Sequence, residues 1–144
     1  MRVRVTGREP GVFLTAVFDV PADAPFFGDH FPRRPVFPAT LLLDTQMRLA
    51  ADLARAAPIM RGAMPRAVRM THVKMRSFIV PAQRLVIDVK LRAAEDDTLG
   101  ATLSAKTGER TVATARLVLA RDTGEADPET IDTAVIASSA GIIP

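Results

Sequence analysis

Residues 2–6 alternate basic and β-branched positions (Arg2, Val3, Arg4, Val5, Thr6), and Glu9-Pro10-Gly11 reads as a turn. Val12–Val20 (VFLTAVFDV) is β-branched and aromatic, which predicts a strand. Five prolines between Pro21 and Pro38 exclude a regular helix or a central strand there. Four phenylalanines in the same stretch (Phe26, Phe27, Phe31, Phe37) argue for an ordered loop. Ala39–Ala57 predicts a helix, free of glycine and proline until Pro58. Leu41, Leu42, Leu43, Met47, Ala50, Leu53 and Ala54 cover most of its circumference, so the expectation is a helix buried nearly all round. After Gly62 and Pro65, strands are expected over 68–80, 84–92, 99–106 and 111–120, the last two joined by a Thr107-Gly108-Glu109-Arg110 hairpin turn. One helix followed by antiparallel strands makes an α+β fold, with a sheet wrapped around one long central helix. No internal repeat is visible. The pattern divides into a domain over 1–121 and a polar, acidic tail over 122–144.

Composition narrows the chemistry. The chain has 144 residues, 48% hydrophobic and 24% charged, which suits one globular domain and excludes a mainly disordered chain. No apolar run reaches the ~18 residues of a spanning helix, and the first residues lack a signal-peptide core. A soluble, cytoplasmic protein without membrane attachment is expected. There is no cysteine, and the two histidines, His30 and His72, have no metal-ligand spacing, so no metal site is expected. Those histidines are also the natural general bases at neutral pH. Residues 1–120 hold 18 basic against 11 acidic side chains, whereas 122–144 hold five acids (Asp122, Glu125, Asp127, Glu129, Asp132). A basic body fits either an acidic partner or a plainly solvated surface. The phenylalanines do not interleave with the basic residues, which argues against nucleic-acid binding.

The stretch Pro25–Ala50 (PFFGDHFPRRPVFPATLLLDTQMRLA) carries the chemistry. It sets His30 in a proline-stiffened loop and Asp44 fourteen residues later, about one turn inside the helix. Pro38 stands just before that helix, whose first amides lack internal partners and offer a positive dipole end to a developing oxyanion. Burial of Asp44 would favour its protonated form and suit it to act as an acid. Each residue also has a plainer reading. His30 could bond a loop carbonyl, and Asp44 with Arg48 could form a helix-surface ion pair worth about 0.3–0.5 kcal/mol. A surface pair fits poorly between Leu43 and Met47 on so apolar a helix. His72 shares strand parity with Lys74 and Arg76, which predicts a polar face.

The stretch resembles the β-hydroxyacyl-acyl carrier protein dehydratases of bacterial fatty-acid synthesis, whose hallmark reads approximately PFFxGHFPxxPVMPGVLxxEAMAQ. Pro25-Phe26-Phe27, His30-Phe31-Pro32, Pro35-Val36-Phe37-Pro38 and the acid at Asp44 stand in register. The segment HVKMRSFIVPAQRLVIDVKL is similar to the family's second block, and the resemblance spans roughly residues 5–120. It implies the hot-dog fold, with His30 and Asp44 catalytic and the Ala39 amide holding the thioester carbonyl. Phe31 and Arg48 are expected as further substrate contacts. His30 and Asp44 would meet across a dimer interface. The expected partners are an acyl carrier protein and a second subunit, in a homodimer, an oligomer of dimers or a heterodimer with a homologue. No cofactor is implied beyond the phosphopantetheine arm that arrives with the substrate.

The chain departs from the family's pattern at Asp29, Arg33, Ala39 and Arg48, and in the second block at Ala82-Gln83. A cation at 48, where the family has glutamine, would hold Asp44 ionised and weaken it as a proton donor. The expected activity is dehydration of a 3-hydroxyacyl thioester in fatty-acid, polyketide or polyene synthesis. The alternatives are a non-catalytic or half-site subunit and an acyl thioesterase.

Overall fold

The computed structural model describes residues 2–22 and 37–122, apart from the side chains of residues 93–95. Six antiparallel strands form one sheet: β1 Arg2–Glu9, β2 Phe13–Asp19, β3 Pro65–Met75, β4 Arg84–Glu95, β5 Thr98–Thr107 and β6 Arg110–Arg121. Their order is β1-β2-β4-β5-β6-β3, so β1 and β3 are the edges. Helix α1, Ala39–Ala54, packs against β2, β3, β4 and β5. This is the sheet around one helix that the pattern predicts, and it is a hot-dog fold.

Alternation along the strands builds the inner face. Leu14, Ala16 and Phe18 of β2, Leu85, Ile87 and Val89 of β4, and Ala101, Leu103 and Ala105 of β5 are all fully buried. Cross-strand partners alternate in size: Ala16 lies opposite Ile87, Ile87 opposite Ala105, Leu103 opposite Ala115, and Ala101 opposite Leu117. Small side chains facing large ones give the helix a close seat without voids. From α1 come Leu42, Leu43, Gln46, Ala50 and Leu53, the 3- and 4-residue spacing of one helical face.

The hairpin between β5 and β6 turns at Gly108 (φ 59°) and Glu109, as its sequence predicts. The β4–β5 hairpin turns at Asp96 and Asp97, both at positive φ (48° and 62°), which aspartate tolerates and a two-residue hairpin needs.

Three expectations require correction. First, α1 stops at Ala54 rather than Ala57, because Pro58 holds Ala57 extended (φ −72°, ψ 133°) and starts a short 3₁₀ turn, Pro58–Met60. Second, β3 covers 65–75 rather than 68–80. Pro65 is tolerated as the first residue of an edge strand. Beyond Met75 the chain leaves the ladder, after the Arg76 amide donates to the Val112 carbonyl. Third, α1 is not buried all round. Asp44 and Arg48, one turn apart, stand on a solvent-facing side.

Both edges are irregular, with register shifts in β1 between Val5 and Gly7 and in β3 at 67/69 and 71/74. Asp19 and Arg84 are register partners at the end of the β2–β4 ladder, and Arg84 Nε donates to Asp19 Oδ1 at 2.8 Å. That bond, helped by the charges of Arg84, Arg4 and Arg2 against a smaller desolvation penalty, holds the Asp19 carboxyl below the usual carboxylate range. A carboxyl lowered by folding adds stability above its unfolded value, near pH 4, and loses it as pH falls through its folded value. Asp19→Asn should therefore flatten the acid limb of stability against pH, measured by urea unfolding between about pH 2 and pH 6. Parallel curves for the two proteins would remove the pair from the account.

Candidate active site

The site is built around the start of α1. Phe37 is fully buried, its amide donates to the Ile79 carbonyl at 2.6 Å, and its ring meets Phe18 edge-on at 5.4 Å. The chain therefore arrives at the helix on a fixed path. Pro38 is the N-cap (φ −61°, ψ 126°) and supplies no side-chain hydrogen bond to the first turn. Its carbonyl accepts from the Leu41 amide at 3.1 Å. Ala39 follows, 2% exposed, and helix geometry gives its N–H no acceptor within the helix. A buried amide at the positive end of a helix suits an oxygen that gains negative charge. The methyl of Ala39 stands where the hallmark has glycine.

Asp44 lies five residues further along, on the other side of α1 from the core stripe. Its side chain is 48% exposed, so the buried acid expected from the apolar helix is not present in the single chain. Arg48 Nε donates to Asp44 Oδ2 at 3.0 Å, with Arg48 80% exposed. The helix-surface ion pair that seemed a poor fit is the one that forms. The misfit disappears because Leu43 points inward while Leu41, Asp44, Thr45 and Arg48 line an open groove of about 550 Å³ with Val3 and Leu49. Thr45 is occupied, its hydroxyl donating to the Leu41 carbonyl at 2.9 Å. At one end an Arg8–Asp52 ion pair ties β1 to α1.

Two predicted site residues, His30 and Phe31, lie outside the described residues, as do the departures Asp29 and Arg33. The structure thus brings Ala39, Asp44 and Arg48 onto one helix and leaves their relation to His30 undescribed. His72 is elsewhere. It sits exposed in the β3 irregularity at φ 54°, its Nδ1 3.0 Å from Thr71 Oγ1, on the polar face expected of it. Among the described residues no His, Cys, Asp and Glu group could hold a metal ion.

Sequence reading missed Gln46. It is 1% exposed on the inner stripe of α1, and neither amide atom has a hydrogen-bond partner. The available signal is its spacing from Leu42, Leu43, Ala50 and Leu53, which places a polar residue on the core side. The hallmark has methionine at this place. A buried amide without partners costs about 1–3 kcal/mol. Gln46→Met should accordingly raise the free energy of unfolding by about that much, read from denaturant titration. A loss of stability would show that the amide is satisfied in the folded protein.

Residues 8–116 match the ApeI-like family, described as ApeI dehydratase. The chain is 32% identical over 77 residues to the 3-hydroxyacyl-[acyl-carrier-protein] dehydratase FabZ of Streptococcus thermophilus, covering 54% of this chain. That alignment spans about half the length of the relative, 55%. It is 28% identical over 130 residues to the protein of the same name from Yersinia pestis, covering 89% of this chain and 74% of that one. Among solved structures, zebrafish thioesterase superfamily member 2 superposes with a TM-score of 0.64 at 12% identity, covering 81% of this chain and 78% of the other. At that identity the likeness is one of fold.

Proposed function

Because the chain belongs to the ApeI-like dehydratase family, we propose that it dehydrates a 3-hydroxyacyl thioester on an acyl carrier protein, giving the trans-2-enoyl thioester and water. The observation that carries this reading is the buried, dipole-backed Ala39 amide with Asp44 farther along the same helix. The relatives named as FabZ dehydratases support the substrate class.

In this mechanism the substrate carbonyl oxygen accepts the Ala39 N–H, and His30 removes a proton from the carbon beside the carbonyl. The C–H electron pair becomes enolate-like, and the Ala39 amide stabilises the oxygen where charge collects, a contribution of about 2.7–4 kcal/mol for one such donor. The pair then forms the new C=C bond as the C3–O bond breaks, and Asp44 supplies the proton that lets the hydroxyl leave as water. Each acid–base role is worth about 10²–10⁴-fold. The thioester itself acidifies the reacting C–H, so the reaction draws on no cofactor beyond the carrier's phosphopantetheine arm. Asp44 faces out of its own chain, which supports its working in a site completed by the loop of a second subunit. Among the described residues no helix is long and apolar enough to cross a membrane.

Purified protein given a 3-hydroxyacyl carrier thioester tests the class of reaction. Loss of water supports the proposal, release of free acid identifies a thioesterase, and an unchanged substrate identifies a non-catalytic subunit. The shared site has its own test. His30→Ala and Asp44→Ala chains should each be inactive, and co-refolding them should recover roughly a quarter of parental activity. Half of the dimers are then mixed, each with one intact site of two, provided that the two sites are independent. No recovery, with mixed dimers confirmed by mass spectrometry, would place both residues in one chain or strip one of its role.

Arg48 sharpens the acid's role. At 3.0 Å the Arg48 guanidinium occupies Asp44 Oδ2, an oxygen that the leaving hydroxyl would otherwise reach. Arg48→Gln should raise turnover at neutral pH by a factor of about two to ten, if protonation of the leaving hydroxyl limits the rate. Turnover below that of the parent would show instead that the guanidinium contacts the substrate.

A further inference from the structure

An irregularity in β3 decides which of its cations share a face. Between the register pairs Thr71–Arg116 and Lys74–Thr114, β3 advances three residues while β6 advances two. The extra residue makes a β-bulge, and His72 sits in it at φ 54°. Strict alternation from Thr71 would turn Lys74 and Arg76 toward the core. The bulge resets the phase and sets both on the outer face of the sheet, away from α1.

Arg116 of β6 already stands on that face, opposite Thr71 on one side and Thr102 of β5 on the other. His72, Lys74, Arg76 and Arg116, with the hydroxyls of Thr102 and Thr114, line a hollow of about 230 Å³. No carboxylate lines it. Asp88 shares the face but stands three strands from Lys74, about 14 Å at the usual strand spacing. It is also engaged, accepting a hydrogen bond from the Thr15 hydroxyl at 2.8 Å. Ion pairs among the described residues involve Arg8, Arg48, Arg84 and Arg121, and none involves Lys74, Arg76 or Arg116. Three permanent cations therefore face one recess without a counter-charge, although like charges on neighbouring strands repel one another.

The chemistry of the lining selects the anion. A single carboxylate would neutralise one of the three cations. A phosphate group carries about −1.5 to −2 charge near neutral pH and has several strong acceptor oxygens. It can engage two guanidinium forks, an ammonium and two hydroxyls together. The hollow is smaller than the roughly 300–1,000 Å³ of a pocket for a drug-sized ligand, which suits a compact anion.

We propose that this hollow binds the phosphate group of a small soluble molecule, held by Lys74, Arg76 and Arg116 with the Thr102 and Thr114 hydroxyls donating to it. The bound group ties the edge strand β3 to β6 and β5 across the bulge. The site lies on the opposite face of the sheet from α1, so its ligand is a second molecule and not the thioester addressed by the Ala39 amide.

Inorganic phosphate is the probe, titrated into the isotope-labelled full-length chain at constant ionic strength. Amide signals of residues 71–76, Thr102 and Thr114–Arg116 should shift along one saturable curve, while those of Leu42–Leu53 in α1 stay in place. Acetate should bind roughly tenfold more weakly. Arg116→Gln and Lys74→Gln should each weaken phosphate binding about tenfold. Lys90→Gln removes a cation beside Thr102 on the same face but outside the hollow, and should leave the affinity unchanged. Phosphate should raise the thermal midpoint of the parent and of Lys90→Gln more than that of Arg116→Gln. Absence of saturation, acetate binding as tightly as phosphate, or equal weakening by Lys90→Gln and Lys74→Gln would reduce the hollow to diffuse surface charge and overturn the proposal. Binding to vesicles containing phosphatidic acid, with no response to soluble phosphate, would assign the face to a membrane and overturn it as well. None of these readouts involves turnover, so their failure leaves the dehydratase reading untouched.

Discussion

Everything in this fold depends on how closely one helix can sit against a curved sheet. The inner face permits that approach because small and large residues alternate across the strands, with alanines at 16, 101, 105 and 115 opposite Ile87, Leu91, Leu103 and Leu117. A uniformly large inner face would hold the helix away and leave voids at its ends, where lost contacts are not replaced by water. On the helix side the same economy applies, since Ala50 and Ala54 are fully buried beside Leu42, Leu43 and Leu53.

The seat of the helix also fixes the candidate chemistry. Phe37, locked by Ile79 and Phe18, delivers the chain to Pro38, and the helix begins where the core dictates. Ala39 and Asp44 are then separated by helix geometry alone. Their relative position does not depend on a flexible loop, which is the arrangement that preorganised catalysis requires. Arg48 follows by the same geometry, one turn beyond Asp44, and pairs with it in a groove that both share with Val3, Leu41 and Leu49.

Much of the fold was legible because its signals were local. The hairpin at Gly108 and the strands β2, β5 and β6 came within two residues of expectation, since alternation and turn chemistry act over short distances. The errors arose where long-range contacts decided. The segment after Met75 looks like continuing strand, yet Ile79 is drawn to Phe37 instead of the ladder. Counting apolar residues around α1 overstated its burial. Asp44, Arg48 and Asp52 recur every four residues, and that spacing already marked a wet stripe. For the site, Ala39, Asp44 and Arg48 were readable from a motif and its spacing. Gln46 was not, because a glutamine two residues from a charged pair looks like surface until the inner stripe is traced through it. His30 and Phe31 rest on the motif, outside the described residues.

The irregular edges of the sheet bear on how the protein behaves in a crowded solution. An unbroken edge strand is a template on which further chains can add without limit, the first step toward fibres. Here β1 is interrupted between Val5 and Gly7 and carries Arg2, Arg4 and Arg8 along its length. On the opposite edge, β3 opens with Pro65 and keeps regular register for only Arg69–Thr71 between its two shifts. So short a straight run can join one partner strand but cannot propagate a ladder. Neither edge therefore offers the long, straight template that open-ended strand addition requires.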